Sequence, residues 1–164
     1  MHAELRLNER GAWILEVATR SIGGLCSRAL RFVDAGATLS LEELILRHAI
    51  GGDTRSIERE TKASGVMMIP VPRAGILRGV GGQDAARAVG GIEDLRITTA
   101  LGDEVWPAPD GFRYLGFLFA RGQDPAEVEA ALRAAHAALR IDIEPHPARD
   151  RAVPRALIAN RRPR

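Results

Sequence analysis

The sequence predicts an α+β protein, on three observations. Two short runs near the N-terminus alternate apolar and polar residues with period two around a turn ending in Gly11, the pattern of a β-hairpin. Two helix starts carry capping signals, Ser40 ahead of Leu41-Glu42-Glu43 and Asp124 ahead of Pro125-Ala126-Glu127. Apolar runs bounded by glycine or proline, at residues 66–69, 92–99, 103–106, 113–120 and 141–143, read as strands. The architecture expected is a β-hairpin plus helix, then a small mixed sheet packed by helices.

The hairpin can be argued by register. Ala3, Leu5 and Leu7 share one face of the first strand, and Trp13, Leu15 and Val17 one face of the second. Gly11 suits a three-residue loop closed by a left-handed glycine. Such a loop pairs Asn8 with Ala12, Leu7 with Trp13, Leu5 with Leu15 and Ala3 with Val17, whereas a two-residue loop loses this agreement. The same register sets Glu4 opposite Glu16 on the other face. Like charges facing each other across a sheet repel, so something positive belongs between them: a divalent cation, or Arg6 and Arg20. Mg²⁺ commonly takes one or two protein carboxylates and completes its shell with phosphate oxygens and water. The alternative is a surface hairpin whose glutamates pair with arginines.

Residues 21–31 read as a loop and a short helix, with Arg28 and Arg31 facing the same loop. Gly23-Gly24 marks either a plain turn or a place where backbone approaches a ligand closely. Cys26 reads as a small buried apolar residue. The helix begun at Ser40 puts Leu41, Leu44, Ile45 and His48 on one face and closes at Gly51. Residues 53–64 read as a connector or exposed helix and mark the expected boundary between a first unit (1–64) and a second (65–144). Residues 66–69 stop at Pro70 and Pro72. Residues 75–82 are rich in glycine and read as turns, without a nucleotide fingerprint. Residues 83–89 suit a short helix, and Leu101-Gly102 a turn between strands. In the helix after Asp124, Val128, Ala131, Leu132, Ala135 and Leu139 form the buried stripe. No catalytic constellation is visible in residues 66–144.

Composition narrows the class. The chain is 46% hydrophobic and 27% charged, ordinary for a folded protein. A lone cysteine excludes an internal disulfide framework, no apolar run reaches eighteen residues, and the first ten residues, interspersed with charged and polar side chains, do not read as a signal peptide. The expectation is a cytoplasmic protein with no membrane partner. The pI of about 9.3 invites a nucleic-acid reading. However, residues 145–164 carry six arginines against Asp150, a net of +5; with +2 overall, residues 1–144 carry −3. Basic character belongs to an arginine-rich tail without periodicity, read as disordered, and no specific nucleic-acid partner is expected.

Glu4, then Glu16-Val17-Ala18-Thr19-Arg20 twelve residues on, then Gly23-Gly24, resembles the end of the ATP-grasp domain. That family carries one carboxylate on a strand and a Glu-x-Asn-x-Arg motif on the next. The carboxylates and the Asn ligate Mg²⁺ bound to ATP, and the Arg contacts a carboxylate or acyl phosphate. The continuation SIGGLCSRALRF, with GVMMIPVP and GFLFARG later, most resembles L-amino-acid ligases and related carboxylate–amine ligases, from residue 2 to about 144. The resemblance implies Glu4 and Glu16 as metal ligands, Arg20 as the acyl-phosphate clamp, Gly23 and Gly24 beside the cofactor, and Mg²⁺ and ATP as cofactors. Ala18 stands at the Asn position and has no ligating atom. No glycine-rich phosphate lid with its lysine precedes Glu4, and of 23 basic residues only Lys62 is lysine. The expected function is therefore a C-terminal fragment or subunit of such a ligase. It would be inactive alone, partnered by an upstream ATP-grasp half, would act on an amino acid or other carboxylate, and would form a homo-oligomer. The alternatives are a non-catalytic oligomeric module binding a small anion or a partner chain, and a dimer-forming relic without a ligand.

Overall fold

The computed structural model describes residues 1–23 and 25–145; Gly24 and the stretch read as a tail, from residue 146 onward, lie outside the described residues. The chain opens with β1 (His2–Asn8) and β2 (Gly11–Ala18), an antiparallel pair. A 3-10 turn (Cys26–Ala29) leads into β3 (Arg31–Asp34), β4 (Ala37–Ser40), α1 (Leu41–Ala49) and the short β5 (Glu58–Arg59), which form a sheet of order β4-β3-β5 beside α1. The remaining strands are β6 (Ala63–Ile69), β7 (Gly75–Gly81), β8 (Ile92–Ile97), β9 (Glu104–Val105), β10 (Gly116–Gly122) and β11 (Arg140–Glu144). They make two three-stranded sheets, β6-β10-β8 and β11-β7-β9, with α2 (Gln83–Arg87) and α3 (Pro125–Ala138) packed on them. The α+β class holds. Every described pairing is antiparallel, so the sheet expected as mixed is two antiparallel ones.

The helices begin where their caps put them. Ser40 Oγ accepts from the Glu43 amide at 3.1 Å, and Asp124 Oδ1 from the Glu127 amide at 2.9 Å. Glu127 returns a carboxylate oxygen to the Gln123 amide at 2.7 Å. The stripe of Val128, Ala131, Leu132, Ala135 and Leu139 is buried as expected, and shares one core with Ile69, Leu77, Leu95, Leu118 and Ile143. Each such large side chain contributes about 1.5–3 kcal/mol of transfer free energy. Residues 53–64 are the connector rather than the helix, with a turn at 55–56 and the short β5, because Glu58 and Arg59 pair with Val33 and Phe32. A hairpin β3–β4 turns through Ala35 and Gly36, both at positive φ, which the sequence reading passed over. Nor do the strands flanking Leu101-Gly102 pair with each other: β8 and β9 belong to different sheets.

The glycine-rich segment is also a strand. β7 lies in the middle of its sheet, and its first glycine, Gly75, serves close approach rather than turning. A Cβ on Gly75, at φ +153°, would come 2.2 Å from the Glu144 carbonyl oxygen. One on Gly82, which leads into α2 at φ +76°, would meet the Ala138 oxygen at 2.1 Å. Small residues are read as turns by composition, but here they let β7 pass under the end of α3 and beside β11.

Few buried apolar groups hold residues 25–60 to the later sheets. Among the described ones, Ala29 and Leu39 are buried, with Ser27 beside them, and the Ser27 hydroxyl bonded to Glu42 holds that carboxyl below its ordinary range. The firmer tie is Arg121 on β10, whose side chain is 9% exposed. Its Nη1 pairs with Glu60, its Nε donates to Glu93 at 3.0 Å, and its Nη2 reaches the Ala29 carbonyl at 3.4 Å. Arg31 joins Glu93 at 3.0 Å, and Arg28 lies 3.5 Å from Asp94 and 5.4 Å over the Phe119 ring. Arg28 and Arg31, expected to face the Gly23-Gly24 loop, instead bind the β8 carboxylates.

Two stability predictions follow from this packing. Arg121→Met leaves Glu60 and Glu93 without their shared cation. Both carboxylates are partly exposed, so urea denaturation should show a loss of about 2–3 kcal/mol, below the ~3–5 kcal/mol of a fully buried pair; a loss under about 0.5 kcal/mol would reduce the cluster to surface decoration. Gly75→Ala should cost more than about 2 kcal/mol, whereas Gly79→Ala, whose added Cβ would find only ordinary contact, should cost less than about 1 kcal/mol. Equal costs would refute the close-approach account of β7.

Candidate functional site

The hairpin carries the residues singled out from the sequence, and its register is subtler than expected. The turn is a two-residue one, with Asn8 paired to Gly11, in place of the three-residue loop. Asn8 Oδ1 accepts from the Arg10 amide at 2.9 Å and from Trp13 Nε1 at 3.2 Å, and this local bonding tightens the turn. A two-residue turn alone would set Glu4 against Leu15. The ladder instead shifts between Glu4 and Leu5, leaving Leu15 as the extra residue of a β-bulge. Beyond the bulge Glu4 pairs with Glu16, Ala3 with Val17 and His2 with Ala18; before it Leu5 pairs with Ile14 and Arg6 with Trp13. The expected pairs Leu5–Leu15 and Leu7–Trp13 are therefore not formed. Paired residues share a face, so Trp13 joins Arg6 on the side of Glu4 and Glu16, and Ile14 takes its place on the apolar side.

Glu4 and Glu16 thus oppose each other on one face, and no ion pair joins either to Arg6 or Arg20 among the described residues. Two opposed carboxylates supply the hard oxygen donors that suit Mg²⁺. Ala18 adds no donor. His2 opposite it has a buried Nδ1 without a hydrogen-bond partner, yet no group of three His, Cys, Asp or Glu side chains is placed to hold a metal among the described residues. Two carboxylates fit a half-set of metal ligands that other oxygens complete.

Arg20 lies just past β2, and its Nη1 donates to the Ser21 carbonyl at 3.1 Å. Gly23 makes room for this guanidinium: a Cβ there would stand 3.3 Å from Nη1. Gly24 lies outside the described residues. Arg20 borders an open cleft of about 640 Å³, together with Thr19, Phe32, Ile45, His48 and Arg59. His48 is thus on the helix face expected of it, but that face looks into the cleft, and α1 has no buried residue. The sequence reading gave Arg59 and Arg121 no role. For Arg121 a signal existed, since a charged residue inside the apolar run GFLFARG needs a partner. For Arg59 there was none, because its place depends on β5 pairing with β3. Cys26 is half-buried.

Residues 67–144 match the family L-amino acid ligase C-terminal domain 2, a span that leaves out Glu4, Glu16 and Arg20. No curated protein matches the chain. Among solved structures, an L-amino acid ligase from Bacillus licheniformis superposes with a TM-score of 0.69 at 22% identity, covering 87% of this chain and 36% of that one. The N5-carboxyaminoimidazole ribonucleotide synthetase from Thermotoga maritima gives a TM-score of 0.56 at 18% identity, again over 87% of this chain and 36% of that one. The chain therefore spans about a third of the length of the structures it resembles. It has the fold of the C-terminal part of an ATP-grasp carboxylate–amine ligase, and its residues 67–144 match the L-amino acid ligase C-terminal domain 2 family.

Proposed function

We propose that the chain supplies the C-terminal part, with the last metal-binding hairpin, of an ATP- and Mg²⁺-dependent carboxylate–amine ligase acting through an acyl phosphate. An upstream nucleotide-binding half completes it, and the chain is inactive without that half. The observation that carries this reading is the opposed, arginine-free pair Glu4 and Glu16 on a hairpin exposed on both sides. A bound Mg²⁺ would neutralise the phosphates between which the phosphoryl group passes. Glu4 and Glu16 hold that ion by their oxygens, while Ala18 leaves a coordination position to water or phosphate. Arg20 offers N–H donors to a substrate carboxylate or acyl phosphate and stabilises its developing charge. On this reading residues 1–64 form the end of the catalytic domain, residues 65–144 a supporting subdomain, and the setting is cytoplasmic.

The hairpin also favours association. Leu5, Leu7, Ile14 and Val17 on its apolar side are 51–79% exposed, and in a two-stranded sheet both edges are unpaired. In the ligase the upstream half covers this face, and the isolated chain hides it by forming a homo-oligomer, most simply a dimer.

The isolated chain should release no ADP from MgATP with amino acids present, and reconstitution with an upstream half should restore release. Glu16→Gln should then lower the rate by at least ~100-fold; ADP release by the chain alone, lost on Glu16→Gln, would overturn the half-site reading. Mn²⁺ titration followed by electron paramagnetic resonance should give a dissociation constant near 1 mM, about 4 kcal/mol, abolished in Glu4→Gln/Glu16→Gln. Unchanged binding in that double variant would remove the metal role. Light scattering at tens of micromolar should give the mass of two chains, and Ile14→Glu should return one; a wild-type monomer would refute the association.

A further inference from the structure

We infer that His2 is a third protein ligand of the metal ion at Glu4 and Glu16, and that its nitrogen shifts the site's preference from Mg²⁺ toward imidazole-binding ions such as Co²⁺. This builds on the metal role given to the hairpin above, and adds to it the position and the unmet bonding of one imidazole.

The register puts His2 where a ligand is missing. His2 pairs with Ala18 and Glu4 with Glu16, and the bulge falls only beyond Glu4. No irregularity separates the two pairs, so all four residues share one face. Ala18 offers a methyl group and no donor atom. A side chain directly opposite, with its Cβ about 4.5–5.5 Å away, covers the same patch of the sheet. Glu4 is the neighbour of His2 along the strand, about 7 Å off, and Glu16 its diagonal neighbour. As they stand the three side chains do not converge on one point. Glu4 and Glu16 are exposed, however, and no ion pair holds them among the described residues. Rotation of two free side chains, with the strands unmoved, brings their oxygens toward the imidazole.

The imidazole itself has bonding to spare. His2 is half-buried, and its Nδ1 is closed to water with no hydrogen-bond partner. Among the described residues it is the only buried side-chain nitrogen or oxygen in that condition. Buried polar atoms find partners almost without exception, and an exception marks a function or an ion. A cation meets the lone pair that the fold leaves unmet. Of the positions that Ala18 leaves open, His2 then takes one in place of water. The donor set becomes two carboxylates and one nitrogen. Mg²⁺ gains little from nitrogen, whereas such a mixed set binds first-row ions with affinity rising from Mn²⁺ to Co²⁺.

The test uses the full 164-residue chain with metal ions alone. Pulsed electron paramagnetic resonance of bound Mn²⁺ should show modulation from a coordinated imidazole nitrogen. Both His2→Ala and Glu4→Gln/Glu16→Gln should abolish it. A nitrogen signal that survives in either variant comes from one of the other three histidines and overturns the assignment, as does its absence from the unaltered chain. Measured by competition with Mn²⁺, Co²⁺ should bind His2→Ala about tenfold more weakly or worse, and Mg²⁺ less than about threefold more weakly. Equal losses for the two ions would refute the nitrogen ligand. Adding Ala18→Asn to His2→Ala should return Mn²⁺ affinity to within about threefold of the original with no nitrogen signal, because an amide oxygen then serves the same position. Failure to recover would separate positions 2 and 18 and sink the inference. Circular dichroism checks that each variant is folded. ADP release from the reconstituted assembly reads the ligase proposal separately. Turnover with a nitrogen-free Mn²⁺ signal removes His2 alone, and a nitrogen signal lost in both variants without turnover sustains His2 while the ligase reading fails.

Discussion

Arg121 is the interaction on which the relation between the two halves of the described chain depends. It sits on the sheet whose core is α3, and from there holds Glu60, Glu93 and the Ala29 carbonyl. Arg28 and Arg31 reinforce it through Asp94 and Glu93. A guanidinium this enclosed is stable only if its donors are met, and the neighbours meeting them come from before β6 as well as from β8. Apolar packing between the regions is thin by comparison. The ionic cluster therefore ties the end of the 3-10 turn, at Ala29, and Glu60 beside β5 to the later sheet.

The hairpin is held differently. Among the described residues it pairs only with itself, and both of its faces are open. A two-stranded sheet is marginal alone in water, and an apolar face next to a carboxylate face is costly to leave bare. The proposed ligase role accounts for both sides at once, since an upstream half would cover the apolar side while metal and phosphate occupy the other. The least supported element of the described chain is also the one that carries the candidate chemistry.

A single bulge reconciles two local demands in that hairpin. Asn8 draws the chain into a tight turn, and tight turns change the parity of pairing. The extra residue at Leu15 restores the parity beyond it, so Glu4 still meets Glu16. Trp13, Ile14 and Leu15 absorb the difference, Trp13 by moving to the polar side, where its indole bonds to Asn8.

Much of this was legible in the residues. The caps at Ser40 and Asp124 and the α3 stripe rest on neighbours within a turn, where sequence spacing determines geometry, whereas the Glu4–Glu16 opposition arises by a route the spacing did not give, a two-residue turn followed by the bulge at Leu15. The resemblance to ATP-grasp ligases was carried by the same local pieces. What the tertiary structure decided involves partners far apart along the chain. Gly75 and Gly82 read as turns until β11 and the end of α3 were seen to press on them. Arg121 had no role until Glu60 and Glu93 were found beside it, sixty-one and twenty-eight residues away. Arg59 meets Arg20 at a cleft only because β5 adds to β3. Composition and periodicity report what a segment prefers locally; which distant segment approaches it depends on how the whole chain closes its core and neutralises its charges.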